Sequence, residues 1–200
     1  MKIHTSRLSN TLALAAPGAI LLAGHAAGAA DIFIKFEGVD GESIDTYHKG
    51  EIEVMSWSWG LSQSGMGATG GGAGAGKVSV QDFTITKFVD KASPALFLRC
   101  ASGVHFATVS LRFTRPEVTT GEDYYVITLH DVTVTSIQSA RPELVAGSTL
   151  SPVPTERVSL NFTKFEMDYR PLDRDPATGA PSGTLGPAVS ASVEVYVPSL

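Results

Sequence analysis

Gly71, Gly72, Gly74, Gly76 and Lys77 carry the glycine and lysine spacing of a phosphate-binding loop, in which backbone N–H groups cradle a polyphosphate and the lysine neutralises it. Two further requirements fail. The next residue should be a serine or threonine that holds magnesium, and it is Val78. The segment beyond should open a helix whose N-terminus meets the phosphates, yet Val78 and Val80 alternate as a strand does. The run therefore reads as a flexible loop between strands, not as a nucleotide site. His48, His105 and His130 lie on separate segments with none of the three- or four-residue spacings that zinc ligands favour, so no metal site is predicted. A single cysteine, Cys100, excludes an intrachain disulfide and any multi-cysteine site. No Gly-x-Ser-x-Gly elbow presents a serine nucleophile. Asn161-Phe162-Thr163 has the form of a glycosylation acceptor but falls inside a predicted strand. The sequence assembles no catalytic constellation and calls for no cofactor.

Charge excludes a further class. Fifteen lysines and arginines stand against 20 acids, a net charge of −5, and no polybasic stretch occurs. Nucleic-acid binding through phosphates needs the opposite balance. Two hundred residues, 43% hydrophobic and 18% charged, suit one globular domain with a real core.

The first 29 residues differ from the rest. Lys2 and Arg7 are their only cations, no acid precedes Asp31, and an apolar stretch over 12–23 leads to a small-residue run with Ala27 and Ala29 at signal-peptidase spacing. This predicts a Sec-type signal peptide cut after Ala29, an exported chain and a mature domain over 30–200 with a net charge of −7. The apolar stretch is too short to span a bilayer and contains Pro17-Gly18, so no stable membrane anchor is expected. The alternative is a start-site artefact, with true initiation near Asp31. The methionine after Met1 is Met55, so that alternative needs a non-methionine start codon.

From Asp31 onward the dominant period is two, the signature of strands. It runs through residues 32–36, 51–59, 77–88 with a bulge near Gln81-Asp82, 109–113, 124–137 as one bent strand or two short ones, 158–169 with a parity switch after Phe162, and 189–197. One helix is predicted, with Ser93 as N-cap, Pro94 in the first turn, Leu96, Phe97 and Cys100 on its apolar stripe, and Gly103 closing it. Residues 140–155 and 171–187 read as loops. About eight strands and one helix without a linker compose a compact β-barrel or two-sheet sandwich. In the strand over 51–59, alternation sends Trp57 and Trp59 to one face, as core or interface anchors, and Ser56 and Ser58 to the other.

Asp31-Ile32-Phe33-Ile34-Lys35, Gly41-Glu42-Ser43, Glu51-Ile52 and Ser56-Trp57-Ser58-Trp59-Gly60 resemble the opening of the Hcp family, the tube proteins of bacterial type VI secretion systems. The resemblance continues through Ser62-Gln63-Ser64-Gly65, Gly74-Ala75-Gly76-Lys77-Val78, Gln81-Asp82-Phe83 and Lys87-Phe88-Val89-Asp90-Lys91. Ser102-Gly103-Val104-His105-Phe106, Glu156-Arg157-Val158-Ser159-Leu160-Asn161-Phe162 and Tyr169-Arg170-Pro171 extend it in order. It implies a barrel of two antiparallel-rich sheets flanked by one helix. It also implies homohexameric rings stacked into a hollow tube, with a sheath, a spike protein and small lumenal effectors as partners. Gly65, Gly70, Gly71, Gly72, Gly74, Gly76 and Lys77 would then belong to a ring-stacking loop, and Ser56 and Ser58 to the lumen face. The family assembles in the cytoplasm and leaves through the apparatus, which a cleaved signal peptide contradicts. The alternative is an exported paralogue acting as a binding or adhesin-like module.

Overall fold

The computed structural model describes residues 31–63, 78–140 and 153–195. Their strands are β1 (Ile32–Phe36), β2 (Ile52–Glu53), β3 (Ser56–Ser58), β4 (Leu61–Gln63), β5 (Val78–Val80), β6 (Phe83–Phe88), β7 (Phe106–Phe113), β8 (Tyr125–Ala140), β9 (Thr155–Asn161), β10 (Lys164–Tyr169), β11 (Leu172–Arg174), β12 (Pro181–Leu185) and β13 (Val189–Glu194). One helix, α1 (Ser93–Ser102), separates β6 from β7.

The long strand β8 organises the rest. Its first half pairs β7 on one side and β10 on the other, and its second half pairs β9. The change of partner falls at Asp131, whose φ of 51° lies in the left-handed region that aspartate tolerates better than most residues. Parity switches there too: Ile127 and Leu129 face the core before the corner, Val132 and Val134 after it. Opposite the corner, Phe162 and Thr163 separate β9 from β10, and the Thr163 N–H bonds to the His130 carbonyl. The parity switch after Phe162 is thus a sheet corner, not a bulge within one strand.

Two layers result, sharing β8. One runs β2-β1-β7-β8-β10-β13 and the other β8-β9-β6-β3, all antiparallel. The predicted strand over 51–59 is split by Val54 and Met55: β2 pairs β1, while β3 pairs β6. Strand pairing therefore leaves the two layers open between β2 and β3, and the closed ladder of a barrel is absent among the described residues. The predicted strand over 77–88 is likewise two strands, with β5 in a hairpin with β4 and β6 in the main sheet. Residues 171–187, expected as a loop, hold the short β11–β12 hairpin. Between the layers lies one apolar core that includes Ile34, Phe36, Ile85, Leu111, Leu129 and Leu160. Burying each such side chain is worth about 1.5–3 kcal/mol.

Helix α1 ends as its sequence predicts and begins differently. Gly103 takes φ 65° and donates its N–H to the Arg99 carbonyl. At the start no side chain caps the helix. Ser93 is its first residue, and its hydroxyl is engaged in a buried polar cluster. A Cβ at position 103 meets no neighbour, so only the left-handed backbone is at stake. Gly103→Ala should therefore cost about 1–2 kcal/mol in urea unfolding, and Gly103→Asn distinctly less.

Candidate functional site

Cross-strand register in the β3–β6–β9–β8 layer brings small polar side chains into two rows. Ser56 lies opposite Thr86, Thr86 opposite Arg157, and Arg157 opposite Gln138. Ser58 lies opposite Thr84, Thr84 opposite Ser159, and Ser159 opposite Ser136. Directly opposed residues share a face, so four strands present one surface of hydroxyls and an amide with Arg157 as its cation. Ser56, Ser58, Gln138 and Arg157 are exposed, and the others half-buried. Thr84 Oγ1 and Ser159 Oγ stand 3.3 Å apart, a bond in which either oxygen can donate. At the edge, Asp82 accepts from the Thr135 hydroxyl at 2.7 Å and from the Asn161 amide at 3.1 Å.

The intervening residues of these strands make the reverse face. Trp57 stacks on Phe83 with centroids 5.6 Å apart and meets Phe113 edge-on at 5.4 Å. Trp59 packs edge-on against Phe165 at 4.7 Å and Phe162 at 5.9 Å. Trp59 rests against the core, while Trp57 remains 36% exposed. The indoles thus hold β3 from behind while Ser56 and Ser58 stand on the open face. Such a surface can hydrogen-bond a passing polypeptide or water but carries no nucleophile–base pair.

Sequence reasoning names Ser56 and Ser58 and misses Thr84, Thr86, Ser136, Gln138, Arg157 and Ser159. Their signal was a polar period of two in each strand. What the sequence withheld was which strands are neighbours. Gly65, Gly70, Gly71, Gly72, Gly74, Gly76 and Lys77 lie outside the described residues, as do residues 1–30 with the expected cleavage after Ala29. The β4–β5 hairpin, whose Gln63 pairs with Val78, leads into and out of the glycine run.

His48, His105 and His130 do not converge. His48 contacts Glu51 and Asp123, His105 contacts Asp131, and His130 contacts Glu166. No metal-binding group of three or more ligands occurs among the described residues. Cys100 is half-buried against the core. No described helix is long and apolar enough to cross a membrane.

A second polar cluster has a structural character. Lys87, with none of its side chain exposed, places Nζ 2.8 Å from Asp90 Oδ1 and 3.2 Å from Glu156 Oε2, and donates to the Ser93 hydroxyl at 3.1 Å and the Phe88 carbonyl at 2.7 Å. Ser93 in turn donates to Glu156 at 2.7 Å. The cluster ties β6, β9 and the start of α1 together.

Comparison with known proteins places this architecture among relatives. Residues 33–169 match the family described as "Type VI secretion system effector, Hcp". Protein hcp1 of Pseudomonas aeruginosa is 47% identical over 149 residues, which cover 74% of this chain and 88% of that one. The fold is similar to the crystal structure of Hcp1 from Salmonella typhimurium, with TM-score 0.61, 30% identity and coverage of 84% and 95% of the two chains. It is also similar to a type VI secretion system effector from Yersinia pestis, with TM-score 0.59, 32% identity and coverage of 82% and 100%.

Proposed function

Because the chain belongs to the Hcp family of type VI secretion proteins, we propose that it is a structural component of the secretion tube, self-associating into hexameric rings that stack, and not an enzyme. The observation that carries this reading is the match over residues 33–169, together with 47% identity across 88% of the Pseudomonas relative. The hydroxyl face of β3, β6, β9 and β8 lines the lumen in this reading. Its short, weakly charged side chains give effectors a surface that wets and releases. Residues 65–77 form the ring-stacking contact, and sheath, spike protein and small effectors are the partners. The two layers act as a barrel closed by residues 52–58. Supporting this, the Val54 N–H bonds to the Ile32 carbonyl at 2.8 Å and the Met55 N–H to the Thr86 carbonyl at 2.8 Å, so one segment touches both edges.

Light scattering and negative-stain microscopy of the purified protein test the assembly: six-membered rings are expected, and a strict monomer at high concentration sinks the reading. Deleting residues 65–76 should abolish stacks while rings persist. For the lumen, Ser58→Cys in a Cys100→Ser background should react with a bulky polymer maleimide when dissociated and be protected in stacked rings. Equal labelling in both states removes the lumen assignment.

The composition of residues 1–29 favours a second reading, an exported paralogue that binds outside the cytoplasm. N-terminal sequencing of the native protein separates the two. Retained leader residues accord with cytoplasmic assembly followed by export through the apparatus, whereas a mature start at Ala30 accords with Sec export.

A further inference from the structure

His48 lies at one end of the fold, only 2% exposed, in the loop between β1 and β2. Its backbone N–H is held by Asp45 Oδ1 at 2.9 Å, and its ring stacks on Phe33 with centroids 4.3 Å apart and planes 12° from parallel. Both ring nitrogens face carboxylates. Nδ1 is 3.3 Å from Glu51 Oε2, and Nε2 is 3.1 Å from Asp123 Oδ1, the latter an ion-pair contact without hydrogen-bond alignment. Arg112 from β7 reaches Glu51 Oε1 at 3.3 Å. The titratable and charged groups in contact with the ring or its carboxylates are Asp45 and Glu51 from its own loop, Asp123 from the segment before β8, and Arg112 from β7, while Asp31, Arg115 and Glu122 line the cavity that Asp45 and His48 also border.

A neutral imidazole has one N–H and one lone pair. Between two ionised carboxylates its lone pair must face an anion, at a site where burial strengthens the repulsion. One additional proton removes that conflict. We propose that His48 and Asp123 hold a single shared proton which latches residues 43–50 to residues 119–123, and that raising the pH releases the proton and opens the latch.

Two further contacts show what the latch controls. Tyr47 lies flat against Gly121, so close that a Cβ there would fall 2.2 Å from the Tyr47 ring, and the two loops separate only if this packing opens too. Beyond it, the Thr119 N–H bonds to the Gly183 carbonyl at 3.0 Å, which attaches the β11–β12 hairpin to the same segment. The direction of the pH effect agrees with the electrostatics of Asp123. Burial, reinforced by Glu51 and Asp45 and opposed by His48 and Arg112, holds its carboxyl above the usual range. A carboxyl whose folded-state value is raised contributes stability at low pH that is lost as the pH climbs through that value.

The latch is independent of the tube reading. Its test is hydrogen exchange of the full chain from about pH 4, the ordinary carboxylate range, up to about pH 8, because the raised carboxyl of Asp123 loses its proton above that range, with rates corrected for intrinsic exchange. Residues 43–50 and 119–123 should lose protection together as the pH rises, by up to about tenfold per pH unit, the limit for release of one proton. Asp123→Asn and His48→Gln should each flatten that profile. The carboxyl carbon of Asp123, followed by NMR in the unmodified protein, should titrate over the same interval. Protection that stays constant with pH, a variant that keeps the wild-type profile, or an Asp123 carboxyl that does not titrate there overturns the proposal. If His48→Gln does not fold, Asp123→Asn and the NMR titration decide.

Discussion

Lys87→Met should lower the free energy of unfolding by about 3–5 kcal/mol, measured by urea denaturation at fixed protein concentration. For a domain of this size the fall corresponds to roughly 6–20 °C in Tm. The lysine itself adds little apolar packing that methionine could not match in volume. The loss comes from what it leaves behind: the carboxylates of Asp90 and Glu156 face each other's neighbourhood without the ammonium that stands 2.8 and 3.2 Å from them. Glu156 keeps the hydroxyls of Ser93 at 2.7 Å and Ser139 at 3.3 Å, which soften the penalty without cancelling a charge. Lys87→Met with Glu156→Leu removes both ions of the directly opposed pair, and a buried ion pair replaced by apolar side chains of similar size is often neutral. The double variant should therefore recover most of the stability, with Asp90, the more exposed carboxylate, accounting for the remainder. A single variant within about 1 kcal/mol of wild type contradicts the assignment of this cluster as the tie between β6, β9 and α1.

That cluster also shows how far the sequence reaches. Phe83, Ile85 and Lys87 share one parity in β6, and Glu156, Val158 and Leu160 share one in β9, so each strand carries a single charge where alternation demands an apolar side chain. The two exceptions have opposite sign and answer one another, yet only the register Lys87 opposite Glu156 reveals it. Register between segments 69 residues apart is not encoded locally. The same holds for the hydroxyl face: the serines flanking Trp57 announce a polar surface, while its extension over Thr84, Ser159 and Ser136 depends on strand order. Local chemistry was legible where one residue suffices. Gly103 ends the helix through a backbone conformation, whereas residues 124–137 read as one bent strand or two short ones, and the pairing and the left-handed Asp131 place the bend. The division of residues 51–59 left a mark in the sequence that a reading as one strand passes over. Its apolar residues change parity at Val54-Met55, from 52 and 54 to 55, 57 and 59, but only the pairing shows that the two halves are separate strands with different partners. Phe33 escaped as well: alternation puts it on the side away from Ile34, and it is buried because the His48 ring covers it from a loop.

Phe83→Ala should produce the second large effect, a loss of about 3–5 kcal/mol with a change in tryptophan emission. Phe83 is fully buried at the start of β6, with Trp57 stacked at 5.6 Å and Trp59 tilted against it at 6.0 Å. These are the chain's two tryptophans, so intrinsic fluorescence reports on this one neighbourhood. Removing the ring leaves a cavity between two indoles that are themselves braced by Phe113, Phe162 and Phe165 and cannot both collapse into it. Water then reaches Trp57, already partly exposed, and its emission moves to longer wavelength. Phe83→Leu fills most of the space and should cost no more than about 1.5 kcal/mol. The pair of substitutions separates packing from association. If the indoles serve mainly as a contact between copies, Phe83→Ala weakens ring formation while the Tm of the dissociated protein stays within a few degrees of wild type. If they anchor β3 to its own core, the dissociated protein loses the full amount. Ring formation then falls only because the folded subunit itself is destabilised. The geometry favours the second outcome, since all four aromatic partners of Trp57 and Trp59, namely Phe83, Phe113, Phe162 and Phe165, are buried core residues.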